Sequence, residues 1–131
     1  MIFIKRTAAI AAGGAAGAIL RYYLQHLYIN GISSAILTLI INVIGSFILS
    51  FLILAFANVL KINSEMRVGI TTGFLGGFTT FSTFCKDTIM FFLSGRIVSG
   101  MVYAVFSIVL GLTASFLGIC AAKSLEKRYK A

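Results

Sequence analysis

The sequence predicts an all-α integral membrane protein with four transmembrane helices, the third of them broken. Three observations carry the prediction. First, 60% of the 131 residues are hydrophobic and 11% are charged, with a mean hydropathy of +1.04. A soluble domain carries roughly a quarter charged residues. Second, four apolar runs can be drawn: Thr7–Tyr28, Ser33–Asn58, Val68–Leu93 and Ile97–Lys123. Each meets the length of about 20 residues that a helix needs to cross a bilayer. Together they fill nearly the whole chain, so residues 1–131 are expected to form a single channel-sized domain. Third, residues 73–84 read Gly-Phe-Leu-Gly-Gly-Phe-Thr-Thr-Phe-Ser-Thr-Phe in the middle of the third run.

The first run follows Lys5-Arg6 and superficially resembles a signal peptide. It is as long as a full span, however, and ends in Arg21-Tyr22-Tyr23 rather than a cleavage site. Gly13 and Gly17 form a small-xxx-small pair, which lets another helix approach closely. Arg21 has two open readings: it holds a headgroup, or it draws anions into a vestibule.

Asn30-Gly31 is a turn signal, and Ser33 or Ser34 can cap the second helix. Thr38, Asn42 and Ser46 are four apart and share a face. Asn42 falls near the bilayer midplane, where an amide is costly unless satisfied. It can hold two helices together by a hydrogen bond. It can also line a pore, with its NH₂ donating to an anion and its C=O facing a cation. Lys61 to Arg67 is a short polar loop with Ser64 as a candidate N-cap and Glu65 favourable in the next first turn.

In the third run, Gly73, Gly76 and Gly77 weaken a helix through their backbone freedom, and Thr79 and Thr80 add to the weakness. The break is expected near residues 76–80. A helix opened in lipid exposes N–H and C=O groups that only protein or a water-filled path can satisfy. The segment therefore predicts an ion site or a pore. Phe81 and Phe84 lie three apart on one face; they are either core residues or a pair of positive ring edges that meet an anion weakly. Lys86 and Asp87 come late in the run and read as a snorkelling pair at the interface. Ser94-Gly95-Arg96 joins the last two spans. The fourth carries Tyr103, Ser107, Gly111 and Ser115 four apart, and the basic tail from Lys123 to Lys130 belongs at the membrane surface.

The formal charge of +8 does not indicate nucleic acid, because the basic residues sit at span ends, where they favour headgroups and set orientation. Eight of the eleven (Lys5, Arg6, Lys61, Arg67, Lys123, Lys127, Arg128 and Lys130) fall on one side, leaving Arg21, Lys86 and Arg96 in the other half. No Asp, Glu or Lys lies near the middle of the first, second or fourth span, which argues for passive conduction over proton-coupled pumping. Cys85, Cys120 and His26 give no metal signature. No nucleophile–base constellation points to an enzyme.

Gly17-Ala18-x-x-Arg21-Tyr22, Asn42-Val43-x-Gly45-Ser46-Phe47 and the Gly73–Phe84 motif together resemble the Fluc (CrcB-type) fluoride channel family. The resemblance covers all four spans in order. It implies a fluoride-selective channel that passively exports fluoride across the plasma or inner membrane of a microbe, reducing its toxicity. Fluoride enters acidified cells as neutral HF and is trapped as the anion, so a channel suffices. The resemblance also implies an antiparallel, dual-topology dimer with two pores, and a central structural sodium ion held by the backbone carbonyls of Gly76 and Thr79. Freed carbonyls suit a hard cation. By motif position the pore residues are Asn42, Phe81 and Phe84, with Ser82, Thr83, Tyr103 and Ser107 as a polar track and Arg21 at the vestibule. Where many members carry an acidic residue after the Phe motif, this chain has Lys86-Asp87.

The expected partners are fluoride, lipid and a second copy of the chain. The one-sided basic residues keep open a pairing with a distinct, oppositely oriented subunit. Two other readings compete with the channel. A small multidrug transporter needs a buried glutamate in its first span, and none is present. A non-conducting assembly subunit would use the glycines and polar groups only for packing.

Overall fold

Helices form where the apolar runs lie, and the polar stretches between them carry the caps. The computed structural model describes residues 2–26 and 33–130. The expected end of the first span at Tyr28 and the Asn30-Gly31 turn lie outside the described residues. The elements are α1 (Ile2–His26), α2 (Ser34–Asn58), α3 (Ser64–Val68), a π-helical turn (Gly69–Phe74), α4 (Leu75–Phe78), α5 (Phe81–Leu93) and α6 (Ile97–Lys130). By length and composition, α1, α2 and α6 can each cross a membrane. At 1.5 Å per residue, the 34 residues of α6 span about 50 Å, well beyond a hydrocarbon core of about 30 Å. Its basic end therefore projects past the apolar layer.

Ser33 is the extended residue before α2, and its carbonyl accepts the first N–H bonds, from Ile36 at 3.0 Å and Leu37 at 3.3 Å. Ahead of α3 the N-cap is Asn63, not the expected Ser64. The Asn63 side-chain oxygen reaches the Met66 N–H at 2.8 Å, three residues on, where one orphan donor of a helix start stands.

α1 packs along the π turn and α4 through reciprocal glycines. A Cβ placed on Gly13 would run into the Gly69 carbonyl, one on Gly17 into the Phe74 carbonyl, and one on Gly77 into the backbone of Gly14. Backbone lies directly on backbone there, as small residues permit in apolar surroundings where dispersion drives helix association. α2 packs against α6 in the same way, with Gly118 against the Phe47 carbonyl and Ala55 and Ala122 fully enclosed. At one end the pair is tied by Asn58, which donates to the Glu126 carboxylate at 3.0 Å. Lys130 holds the other oxygen of that carboxylate at 2.6 Å, and this hydrogen bond keeps its pKa below the usual value. Outward from these seams the helices present Phe, Leu, Ile and Val, including Val105, Phe106, Leu112 and Phe116 of α6. Such a surface is costly in water and cost-free against lipid tails.

Gly17→Ala is expected to destabilise the protein by about 1–3 kcal/mol, the usual cost of overpacking a fitted contact. Thermal denaturation in detergent checks this. A melting temperature equal to the unsubstituted protein's would rule out the close approach of α1.

Candidate functional site

Helical conformation stops at Phe78 and resumes at Phe81, with Thr79 (φ −74°, ψ 154°) and Thr80 (φ −146°, ψ 119°) in extended conformation between them. Gly73, Gly76 and Gly77 lie within helical turns, so the extended residues are the two β-branched threonines after them. Thr79 closes α4, its N–H and its hydroxyl both donating to the Leu75 carbonyl at 2.9 Å. Thr80 opens α5 as its N-cap, its hydroxyl oxygen accepting from the Thr83 N–H at 3.2 Å. The Ser82 and Thr83 hydroxyls meet the same oxygen at 3.2 and 3.0 Å.

The backbone of Thr80 is paired with one side chain. Its N–H donates to Asn42 Oδ1 at 2.8 Å, and its carbonyl accepts from Asn42 Nδ2 at 2.9 Å. The amide thus serves as a one-residue strand alongside the chain, leaving one amide hydrogen and one lone pair uncommitted. Arg21 Nε donates to the Gly77 carbonyl at 3.2 Å, placing a cation where α4 ends and carbonyls carry partial negative charge. This contact leaves both readings of Arg21, headgroup and vestibule, open, and the residue also lines a cleft of about 470 Å³ with Tyr22 and Tyr23.

The junction has a further consequence for its carbonyls. In an unbroken helix the Thr80 N–H would bond to the Gly76 carbonyl, and the Thr83 N–H to the Thr79 carbonyl. Here the first goes to Asn42 and the second to the Thr80 hydroxyl. A Cβ on Gly76 would meet nothing within 4 Å beyond its chain neighbours and its own helix backbone, so the residue faces open space.

Beside the junction lies a cleft of about 320 Å³. It brings together Asn42, Thr79, Phe81, Phe84 and Ser107 of the residues singled out from sequence. Thr80 and Ser46 also line it. Phe81 stands 77% exposed, and its ring centroid is 5.7 Å from that of Phe84. Tyr103 is not on the cleft wall; it is buried behind Phe84, with centroids 5.6 Å apart. Its hydroxyl has no hydrogen-bond partner among the described residues. Ser107 donates to the Tyr103 carbonyl at 2.7 Å, so it offers the cleft an acceptor unless it rotates. Ser82 and Thr83 turn toward Thr80.

Asp87 does not snorkel. It is 6% exposed and accepts from Thr38 at 2.8 Å and from Ser34 at 3.2 Å, hydroxyls on α2 that replace the water a carboxylate needs. Gln25 of α1 donates to the same Thr38 oxygen at 3.4 Å. The ion pair found among the described residues is Lys130–Glu126, not Lys86–Asp87. Sequence reasoning missed the roles of Thr80 and Thr38. Thr80 had a usable signal, a β-branched hydroxyl residue directly before an apolar helix, which is an N-cap position. Thr38 had none, since its partner lies 49 residues away.

A family model described as CrcB-like protein, Camphor Resistance (CrcB), matches residues 8–119. The chain is 40% identical over 119 residues to the "Fluoride-specific ion channel FluC" of Ruminiclostridium cellulolyticum, covering 89% of this chain and 92% of that one. It is 38% identical over 118 residues to the protein of the same name from Rhizobium leguminosarum bv. trifolii, covering 88% and 94%. To the "Fluoride-specific ion channel FluC 2" of Staphylococcus saprophyticus it is 40% identical over 111 residues, covering 84% and 90%.

Asn42→Ala leaves both backbone groups of Thr80 without their partner. A loss of about 1–3 kcal/mol for each buried group so orphaned is expected. Ser46→Ala, on the same face but with no such bond, is the control. If thermal denaturation gave equal midpoints for the two variants, the pairing would not be a structural one.

Proposed function

The chain belongs to the CrcB-like family, and from that footing we propose that it is a fluoride-selective ion channel, carrying fluoride passively out of the cytoplasm across the cell membrane and so limiting its toxicity. It is a multi-pass membrane protein and not an enzyme. The observation that carries the reading is the α4–α5 junction, whose extended backbone is held by Asn42 beside a cleft bearing Phe81 and Phe84. We read that junction as the break of a third membrane span running from α3 to α5.

Fluoride is small, strongly hydrated and a strong hydrogen-bond acceptor, so a path for it must replace water in steps. The uncommitted amide hydrogen of Asn42 is one such donor. The edges of Phe81 and Phe84 are weakly positive and hold an anion without trapping it as a full charge would. Ser107 donates only by leaving the Tyr103 carbonyl, and Ser82 and Thr83 share their hydroxyl bonds with Thr80, so a strong acceptor is favoured over chloride.

The subunit is read as half of an antiparallel dual-topology dimer. An aromatic ring 77% exposed on the cleft and a glycine facing open space support a second copy covering this face. A sodium ion at the junction of the copies is part of the same reading. The diversion of the Thr80 and Thr83 N–H groups leaves the Gly76 and Thr79 carbonyls suited to it. The ion would supply a fixed positive charge there. The one-sided distribution of Lys and Arg favours a single insertion direction. It supports a second reading, in which the partner is a distinct chain of opposite orientation.

Liposomes reconstituted with this chain alone, followed by fluoride electrode beside a chloride control, test the proposal. Rapid fluoride efflux without chloride loss is expected. No fluoride efflux from folded protein, alone or with an oppositely oriented partner, would overturn the channel reading. Phe81→Leu and Phe84→Leu are each expected to slow efflux by roughly two- to tenfold, the rate equivalent of about 0.5–1.5 kcal/mol. Unchanged flux in both would sink the ring-edge contribution.

A further inference from the structure

We propose that Arg96, seated on the Phe91 ring, is the anion-collecting mouth of the conduction path, joined to the cleft by a continuous line of aromatic rings. The proposal rests on the fluoride-channel reading and adds two residues to it. It begins with how α5 stops. Gly95 has φ +74°, a left-handed conformation that glycine adopts without strain. The Gly95 N–H donates to the Phe92 carbonyl at 3.0 Å and the Arg96 N–H to the Phe91 carbonyl at 2.9 Å. These two bonds are a Schellman motif, which folds the residue after the glycine back onto the last turn of the helix. The contact across such a motif is commonly between two apolar side chains. Here it is a guanidinium lying 5.1 Å from the centroid of Phe91.

From Phe91 the rings continue without a gap. Phe91 lies 5.7 Å from Tyr103, Tyr103 5.6 Å from Phe84, and Phe84 5.7 Å from Phe81 on the cleft. A cation on one face of a ring draws electron density toward itself and leaves the edge more positive. Arg96 therefore acts twice: as a charge that concentrates anions at the end of α5, and as a group that makes the first ring edge a better anion contact.

The electrostatic setting gives that charge weight. The chain has three acidic residues. Within the subunit, Glu65 and Glu126 belong to the opposite end from Arg96, near the start of α3 and the end of α6. The third, Asp87, is buried on α5 between Phe84 and Phe91 in sequence, with Ser34 and Thr38 donating to it. A buried carboxylate beside the path repels an approaching anion, and Arg96 supplies the opposing charge from the exposed side. Lys86 is also exposed on α5, but among the described residues the cation lying over an aromatic ring is Arg96.

The test is fluoride efflux from liposomes carrying the full chain, R96Q, R96K or F91L, with an impermeant salt setting ionic strength. Debye lengths of about 30 Å at 0.01 M and about 3 Å at 1 M separate steering from other effects. R96Q is expected to lower efflux by roughly three- to tenfold at low ionic strength, the modest end of charge focusing, and to approach the unsubstituted rate at high ionic strength. R96K, which keeps the charge, restores most of the loss. F91L removes the ring and lowers efflux at both salt concentrations. R96Q matching the unsubstituted protein at low ionic strength, or losing equally at both, overturns the proposal, and unchanged F91L overturns the ring line. A silent unsubstituted protein overturns the channel reading as well, whereas an active one with unaffected variants overturns this inference alone.

Discussion

The pairing of one amide side chain with both backbone groups of Thr80 is the constraint on which the rest depends. An extended pair of residues between two helices has donors and acceptors that lipid cannot meet. Asn42 meets two of them at once, at 2.8 and 2.9 Å. The N-cap hydroxyl of Thr80 then fixes where α5 begins, and with it the positions of Phe81 and Phe84. Gly45, one turn along α2 from Asn42, leaves room for the Thr79 methyl and the Phe78 ring to settle against that helix. A single residue type at position 42 therefore supports a backbone conformation, a helix start and an aromatic pair.

Two seams hold the helices around this point, and they differ in kind. Between α1 and the π turn with α4 the seam is glycine against backbone, rigid because neither side has a side chain to adjust. Between α2 and α6 it is alanine and glycine at spaced positions, closed at one end by Asn58, Glu126 and Lys130. Arg21 and Gln25 continue α1 beyond its glycines and reach the Gly77 carbonyl and Thr38. Polar groups are thus gathered where α1, α2 and α5 meet.

Much of this was legible because membrane crossing imposes strong patterns. The apolar runs gave α1, α2 and α6, and the four-residue spacing of Thr38, Asn42 and Ser46 located one polar face of α2. The glycines of residues 73–77 were the harder case. In sequence they look like the weak point of a helix, yet Gly73 and Gly77 are helical and serve close packing, a use that depends on a partner helix not visible locally. Asp87 was misplaced for a related reason. A lysine beside it suggested an interfacial pair, but its hydroxyl donors come from α2, 49 and 53 residues away, and local sequence holds no signal for them. The shift of the cap from Ser64 to Asn63 is a smaller instance, since either residue type caps well and geometry chose.

The direction of these dependencies bears on how the chain is made. Every outside group that satisfies the α4–α5 junction comes from upstream: Arg21 from α1 and Asn42 from α2. A ribosome working from the N-terminus delivers both helices before the junction leaves the exit tunnel. On the reading of that junction as the break of a third span, the segment least able to exist alone in a bilayer is born into a membrane that already holds its hydrogen-bond partners. A circular permutant that began at α3 would reverse that order and present the same unpaired backbone to lipid with nothing yet there to receive it.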